Sequence, residues 1–280
     1  MKSRINPETV KLWRLPELGH VEMLRAVYRT QTFSRHSHEG FALGVIERGA
    51  LGFYYRGENV VAPAGAVNLA NPDEPHTGHA ATDEGWAYRM FYFDASVLQQ
   101  AASRLADRNA ALPFFQSGVL QDDHLAAIIH RLHRDFESAG LARLEMESRF
   151  LNLLTLLVSR HADAPPTPGV FGPEPRRIHR AREYIHARYQ DDLSLEELSS
   201  VAGLSPFHFL RVFRNAVGLP PHAYLMQVRI GEAKRLLTEG RSIASAAVET
   251  GFADQSHLTR CFKRITGVTP GHYRKIVQDH

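Results

Sequence analysis

The chain has 280 residues, of which 44% are hydrophobic and 22% are charged. This composition excludes intrinsic disorder and leaves room for about two domains of 100–170 residues. Charge is uneven, because residues 176–280 carry 16 Lys and Arg against 10 Asp and Glu, a net of +6, whereas residues 1–175 carry 17 against 20, a net of −3. A basic domain attracts a polyanion, although charge alone does not separate nucleic acid from a membrane surface.

Several protein classes are excluded by what the sequence lacks. The longest apolar stretches, such as residues 153–158, fall far short of the roughly 20 residues that a membrane span needs. The N-terminal residues do not show the basic segment and apolar run of a secretory signal. With Cys261 as the single cysteine, an intrachain disulfide and a cysteine-based zinc cluster are excluded, and we expect a cytoplasmic protein.

Between residues 30 and 95, short apolar runs alternate with turns rich in Gly, Pro and Asn. The runs cover residues 41–46, 51–55, 60–61, 66–69 and 86–93. Strands at this spacing predict a small barrel or sandwich.

From residue 120 the apolar spacing becomes helical, with steps of three and four residues. Two amphipathic helices are therefore predicted before residue 161. Their apolar faces either pack against the barrel or also form the seam of a homodimer, with Leu151, Leu154 and Val158 as the candidate seam residues.

Residues 162–175 contain five prolines and two glycines, which is typical of a semi-extended linker. The predicted organisation is therefore an N-terminal domain over 1–161, a linker over 162–175 and a helical domain over 176–280. The fold class is α+β.

The basic half contains an internal repeat. A shift of 49 positions matches His208, Arg211, Phe213, Gly218, Pro221 and Tyr224 with His257, Arg260, Phe262, Gly267, Pro270 and Tyr273. Each copy has the pattern of a short helix, a glycine turn and a second helix. Gly203 and Gly251 end the first helices, while Ser205 and Asp254 are N-caps for the second ones. The sequence thus predicts two helix-turn-helix units joined by a long helix over 221–238.

Two recognition helices joined in this way fit successive major grooves, which recur every 10–10.5 base pairs. Residues 176–275 closely resemble the double helix-turn-helix domain of the AraC/XylS (arabinose-regulator) family, including its closing pattern, GFADQSHLTRCFKRITGVTP, over 251–270. In that family, exposed residues of both recognition helices contact bases. The resemblance assigns this role to Phe207, Leu210 and Arg211 in the first unit and to Gln255, Ser256, His257 and Arg260 in the second.

Side-chain chemistry supports these assignments unequally. Arg can donate two hydrogen bonds to guanine, and Gln pairs with adenine, so Arg211, Arg260 and Gln255 are candidate direct readers. Phe207 and Leu210 offer only apolar contact, for example to a thymine methyl, and partial burial is the alternative for both.

The N-terminal strands resemble the cupin-like effector-binding barrel that such regulators often carry. Gly57, Pro63, Gly65 and Asn71 are similar to the second cupin motif, and His36-Ser37-His38 to the start of the first. The glutamate of the metal-binding pattern would fall near Ala42 or Leu43, and Asn68 stands in the place of its third histidine. We therefore expect no metal and no cofactor, unless Glu39, His76 or His79 replaces the missing ligands.

The barrel mouth is then expected to hold an organic effector. The candidate contacts are His36, His38, Glu47, Tyr55, His76 and Trp86. The sequence as a whole predicts a ligand-responsive, sequence-specific regulator of transcription that has no catalytic residues. Its expected partners are double-stranded DNA and a small molecule, with RNA polymerase and a second copy as further candidates. The alternative is a cupin-type metalloenzyme tethered to a DNA-binding domain.

Overall fold

The computed structural model describes residues 8–19, 21–106, 108–138, 140–166 and 174–278. Contacts divide the chain into two compact units, residues 1–138 with 149–169 and residues 139–148 with 170–280. Of the predicted linker, residues 167–173 lie outside the described ranges, so the domain boundaries remain a prediction. No helix in the described ranges is long and apolar enough to cross a membrane.

The described residues of the first unit form nine strands, in agreement with the predicted small barrel or sandwich. They are β1 Thr9–Leu15, β2 Val21–Tyr28, β3 Phe33–His36, β4 Phe41–Tyr55, β5 Glu58–Pro63, β6 Val67–Ala70, β7 His76–Ala80, β8 Trp86–Phe93 and β9 Val119–Leu120. In the described part of the chain they are accompanied by helices α1 Ala95–Ala106 and α2 Asp123–Glu137, and by α3 Arg143–His161, whose residues up to 148 belong to the second unit.

Strand β4 belongs to two sheets. Its first half pairs with β6 and β8 in the sheet β1-β2-β8-β4-β6-β9, and its second half pairs with β5 and β7. The two apolar runs predicted as separate strands are thus one strand of 15 residues. The chain bends at Gly49, which has φ +68° and a backbone so close to Gly85 that a Cβ would lie 1.9 Å from the Gly85 carbonyl oxygen. A glycine therefore lets one strand turn from one sheet into the other.

The predicted helices α2 and α3 are confirmed, and α1 is an addition. Asp122 caps α2 by accepting a hydrogen bond from the Leu125 N–H at 3.0 Å. In α3, the Phe150 ring lies 5.7 Å from the rings of both Phe91 and Phe93 in β8. The proposed seam residues Leu151, Leu154 and Val158 are themselves buried within the single chain. This burial favours intramolecular packing over a dimer seam.

A buried arginine joins the outer side of the sheet to α2. Arg89, 4% exposed, donates from Nε to Glu47 Oε1 and from Nη1 to Glu137 Oε2, each at 2.7 Å. Burial would raise the pKa of Glu137, but hydrogen bonds from Arg89 and Lys11 hold that pKa down to about 2. The charges of β4, β8 and α2 are thus compensated at one point.

The second unit contains only helices among its described residues. From the linker onward they are α4 Pro175–Arg188, α5 Leu195–Ala202, α6 Pro206–Val217, α7 Pro221–Thr238, α8 Ile243–Glu249, α9 Gln255–Thr266 and α10 Pro270–Gln278. Helices α5 and α6 form one helix-turn-helix and α8 and α9 the other, joined by α7. The predicted double motif is confirmed.

Local capping explains where the recognition helix of each motif begins. The hydroxyl of Ser205 accepts from the His208 N–H, and the carboxylate of Asp254 accepts from the His257 N–H at 2.6 Å. Gly203, with φ +66°, ends α5 in the left-handed conformation. Each recognition helix thus begins at a side chain that satisfies its first free amide groups.

The core of this unit also holds a cation that the sequence analysis did not single out. Arg229 of α7 is 3% exposed and donates to the carbonyl oxygens of Tyr189 and Asp191 at 2.6 and 2.9 Å. Its guanidinium lies 5.9 Å from the centre of the Phe252 ring. Arg229 therefore binds the end of α4 to the turn of the second motif.

Candidate DNA-binding surface and effector cavity

Helix α9 presents a polar face to solvent. Gln255, Ser256 and Arg260 are all exposed, and Lys263 lies one turn further along and is exposed as well. Ser256, Arg260 and Lys263 follow the spacing of neighbours on one side of a helix. This face thus combines neutral hydrogen-bonding groups with two cations.

His257 does not share that face. It is only 9% exposed, its ring packs edge-on against Phe252 at 5.2 Å, and burial lowers its pKa. Nδ1 of His257 has no hydrogen-bond partner among the described residues. The exposed position expected for His257 is therefore wrong, because the ring fills the core between α9 and its turn.

In α6, the exposed positions differ from those expected. Phe207 and Leu210 are 8% and 5% exposed, so the expectation that they reach the surface is wrong. This helix buries most of its circumference, since Phe209, Val212 and Phe213 are buried too. Arg211 is half-buried, whereas the polar side chains of Arg214 and Asn215 further along the helix are exposed. Both residues lie three and four positions after Arg211, so helical spacing could have placed them on the same side of α6.

A cavity of about 160 Å³ lies inside the first unit between the two sheets. Its walls contain several aromatic side chains, including Tyr28, Phe33, Trp86, Tyr88 and Tyr92. The polar lining includes Asn68, Thr77 and three histidines, His36, His38 and His76. The cavity therefore offers an apolar body with a localised polar end, which is the usual character of a small-molecule site.

The three histidines come together through strand pairing. His36 of β3 lies directly opposite His76 of β7, and His38 follows β3 by two residues. The ring centres are 4.5 Å apart for His36 and His76, 5.0 Å for His36 and His38, and 5.1 Å for His38 and His76. One ring nitrogen of each residue lies within 4.8 Å of one in the other two.

The environment favours the neutral form of two of these rings, His38 and His76. Burial, followed by the neighbouring His76 and His36, lowers the pKa of His38 to about 4, and burial also lowers the pKa of His76. In His36 and His76 the Nδ1 atom lies 2.8 and 2.9 Å from the backbone oxygens of Ser34 and Glu74. A carbonyl oxygen only accepts, so Nδ1 carries a proton in both residues, and the nitrogen that offers a lone pair in the neutral ring is Nε2.

Four of the six predicted effector contacts line this cavity: His36, His38, His76 and Trp86. Glu47 and Tyr55 are not brought to it. The carboxylate of Glu47 accepts from Arg89 and His130 at the outer side of the sheet. The Tyr55 hydroxyl accepts from Asn71 Nδ2 at 2.8 Å.

The tyrosines of the cavity wall were not among the predicted effector contacts. In β8, Trp86, Tyr88, Met90 and Tyr92 line the cavity. Strand side chains alternate between faces, so the choice of Trp86 already implied the next three positions. Asn68, noted only as the replacement of a cupin histidine, is also part of the lining.

Comparisons with known proteins agree with this organisation. Residues 18–154 match the family model of the AraC-like ligand binding domain, and residues 198–276 match a helix-turn-helix domain model. The HTH-type transcriptional regulator YbfI of Bacillus subtilis is 32% identical over 252 residues, which is 90% of this chain and 90% of that protein. The arabinose operon regulatory protein of Salmonella typhimurium is 27% identical over 241 residues, or 84% of each chain.

One similar protein is bifunctional. The transcriptional activator and DNA repair enzyme AdaA of Bacillus subtilis is 30% identical over 105 residues, but these are 37% of this chain and 50% of AdaA. The match to YbfI, by contrast, spans both halves. With two helix-turn-helix motifs, a strand-rich N-terminal unit and this similarity over nine-tenths of its length, the chain belongs to the AraC/XylS (arabinose-regulator) family of transcription regulators.

Proposed function

We propose that this regulator reads one asymmetric DNA site through two successive major grooves and changes its DNA binding when a small molecule occupies the barrel cavity. The repeated geometry of the two motifs carries the proposal. Arg211 and Arg260 occupy equivalent positions in the two copies, and both copies start their recognition helix with a side-chain cap. One chain thus has two reading units.

The length of α7 supports the groove spacing. Its 18 residues correspond to about 27 Å at 1.5 Å per residue. This is comparable to the roughly 34 Å between successive turns of the major groove. A dimer is then not required to reach two grooves.

The two recognition helices contribute differently in this proposal. In α9, Arg260 and Gln255 contact base edges, and Ser256 adds a further hydrogen bond. In α6, Arg211 is the base reader, whereas Arg214 and Asn215 contact the phosphate backbone. Because Phe207 and Leu210 are buried, the second motif carries more of the sequence discrimination.

The cavity supplies the response. A ligand that prefers one conformation of the protein changes DNA affinity by the same free energy with which DNA changes ligand affinity, typically 1–3 kcal/mol. We assign the chain no catalytic activity, a cytoplasmic location and RNA polymerase as a partner at the promoter. The tethered metalloenzyme is the weaker alternative, because the relatives that match both halves are named as regulators.

Selection from a random duplex library tests the proposal with the full-length chain. The enriched sites should contain two conserved blocks whose centres lie about 10 base pairs apart. A single block, blocks at unrelated spacings, or no enrichment at low salt would contradict the reading of two grooves.

A further inference from the structure

Three imidazole rings lie close together at the polar end of the cavity. His36, His38 and His76 each offer a ring nitrogen, and these nitrogens lie within 4.8 Å of one another. Among the described residues, no carboxylate and no thiol joins this group. Three imidazole lone pairs held together in a half-buried place are a favourable environment for a cation.

The orientation of two rings is already fixed. Nδ1 of His36 donates to the Ser34 carbonyl oxygen and Nδ1 of His76 donates to the Glu74 carbonyl oxygen, at 2.8 and 2.9 Å. A hydrogen bond from the second ring nitrogen to a backbone carbonyl is the usual support of a metal-binding histidine, since it selects the tautomer and the ring direction. In both residues, Nε2 remains to bind a ligand.

We propose that His36, His38 and His76 bind one divalent transition-metal cation of the Zn²⁺ class inside the barrel. The third ligand, His76, lies in β7, whereas Asn68, which stands in the place of the third cupin histidine, lies in β6. Zn–N bonds of about 2.0–2.1 Å in a tetrahedral site place ligand nitrogens roughly 3.3 Å apart. The nitrogens already lie within 4.8 Å of one another, so small movements, mainly of the His38 side chain, bring them to this spacing while the Nδ1 hydrogen bonds of His36 and His76 are kept.

Three protein ligands leave a fourth position open, as in zinc sites that bind a further molecule. The aromatic wall of Tyr28, Trp86 and Tyr88 lines the same cavity. The effector class is therefore a compact molecule with an oxygen donor, such as a carboxylate, attached to an apolar body. This part of the inference rests on the proposed regulatory function, because it assigns the ligand of the same cavity.

Zinc binding by the full chain tests the proposal. Protein stripped by a chelator and dialysed is titrated with Zn²⁺ against a chromophoric chelator, and bound zinc is counted by mass spectrometry. We expect one Zn²⁺ per chain. Each of His36→Gln, His38→Gln and His76→Gln should lower the affinity on the order of 100-fold, at least as much as loss of a supporting residue does.

His79→Gln is the matched control, because His79 lies on the same strand β7, is exposed and is not part of the cluster. It should bind zinc like the wild type. Equal binding by all four variants and the wild type, or no uptake by the wild type, would overturn the proposal.

A measurement without variants covers the case in which a glutamine variant does not fold. X-ray absorption of the Zn²⁺-loaded wild type should show three imidazole nitrogens at about 2.0–2.1 Å, and fewer than three would contradict the site. DNA selection is scored separately on zinc-free protein. A loss of the two-block motif contradicts the proposed function alone, whereas absent zinc with intact selection contradicts the metal site alone.

Discussion

Replacement of Arg260 by alanine separates base reading from simple charge attraction. Arg260 is exposed, so its removal should change the free energy of unfolding by no more than about 0.5 kcal/mol. A bidentate contact to guanine contributes about 1–3 kcal/mol of discrimination. The variant should therefore lose about 5- to 150-fold in affinity for the selected site, and discrimination should disappear at one base position.

Arg211→Ala is the companion variant, and its effect needs a correction. Arg211 is half-buried, so part of its loss in affinity can come from destabilisation of α6. Thermal unfolding of each variant provides that correction. After it, Arg211→Ala should abolish discrimination at a second position, roughly 10 base pairs from the first.

Both variants are measured by fluorescence anisotropy against a set of single-base variants of the selected site, at two salt concentrations. Lys263→Ala is the matched control on α9, because Lys263 is exposed and a point charge suits phosphate better than a base edge. The control should weaken binding to all sequences alike and reduce the salt slope by about one unit. Uniform losses for the two arginine variants, or affected positions that are adjacent, would refute the two-groove interpretation.

The remaining predictions concern stability. Arg229→Met should lower the free energy of unfolding by roughly 2–5 kcal/mol, because two carbonyl oxygens lose a buried donor. Urea unfolding measures this loss, and Arg241→Met, at an exposed position, is the control that should leave the stability nearly unchanged. Because the pKa of Glu137 is lower in the folded chain, this residue stabilises the fold at pH values above its ordinary pKa of 4.5, and the stabilisation should be lost as the pH falls toward about 2. In acid titrations of stability, Glu137→Gln should show a shallower transition than the wild type, and identical transitions would contradict the ion pair. Gly49→Ala should lower the melting temperature more than Gly57→Ala, since both have positive φ but only Gly49 would place a Cβ against backbone. Gly57→Ala should lower the free energy of unfolding by about 1–2 kcal/mol. Equal decreases in melting temperature for the two variants would show that β4 tolerates a side chain at Gly49.

The double helix-turn-helix could be predicted because its signals are local. Ser205, Asp254 and Gly203 act on amides and carbonyls within a few residues of themselves, so their positions in the sequence determine the turns. The side of α6 that faces solvent, by contrast, is not determined by local sequence. Phe207 and Leu210 are buried because neighbouring helices surround most of α6, which spacing within one helix does not report.

The histidine cluster could be predicted only in part, for a similar reason. The short spacing of His36 and His38 was visible, but the approach of His76 depends on the pairing of β3 with β7, 40 residues further along. Glu47 shows the opposite case. A carboxylate beside predicted barrel strands suggested a ligand contact, and its real partner, Arg89, became apparent only from the pairing of β4 with β8.

The side-chain caps of α6 and α9 also bear on the thermodynamics of DNA recognition. Each recognition helix begins at a satisfied cap and ends at a glycine in the left-handed conformation, Gly218 and Gly267, without any contribution from DNA. Both helices are therefore preorganised, and association does not include the entropic cost of folding them. The heat capacity change on binding should then reflect only the apolar area covered at the interface, well below the values seen when a disordered segment folds onto its target.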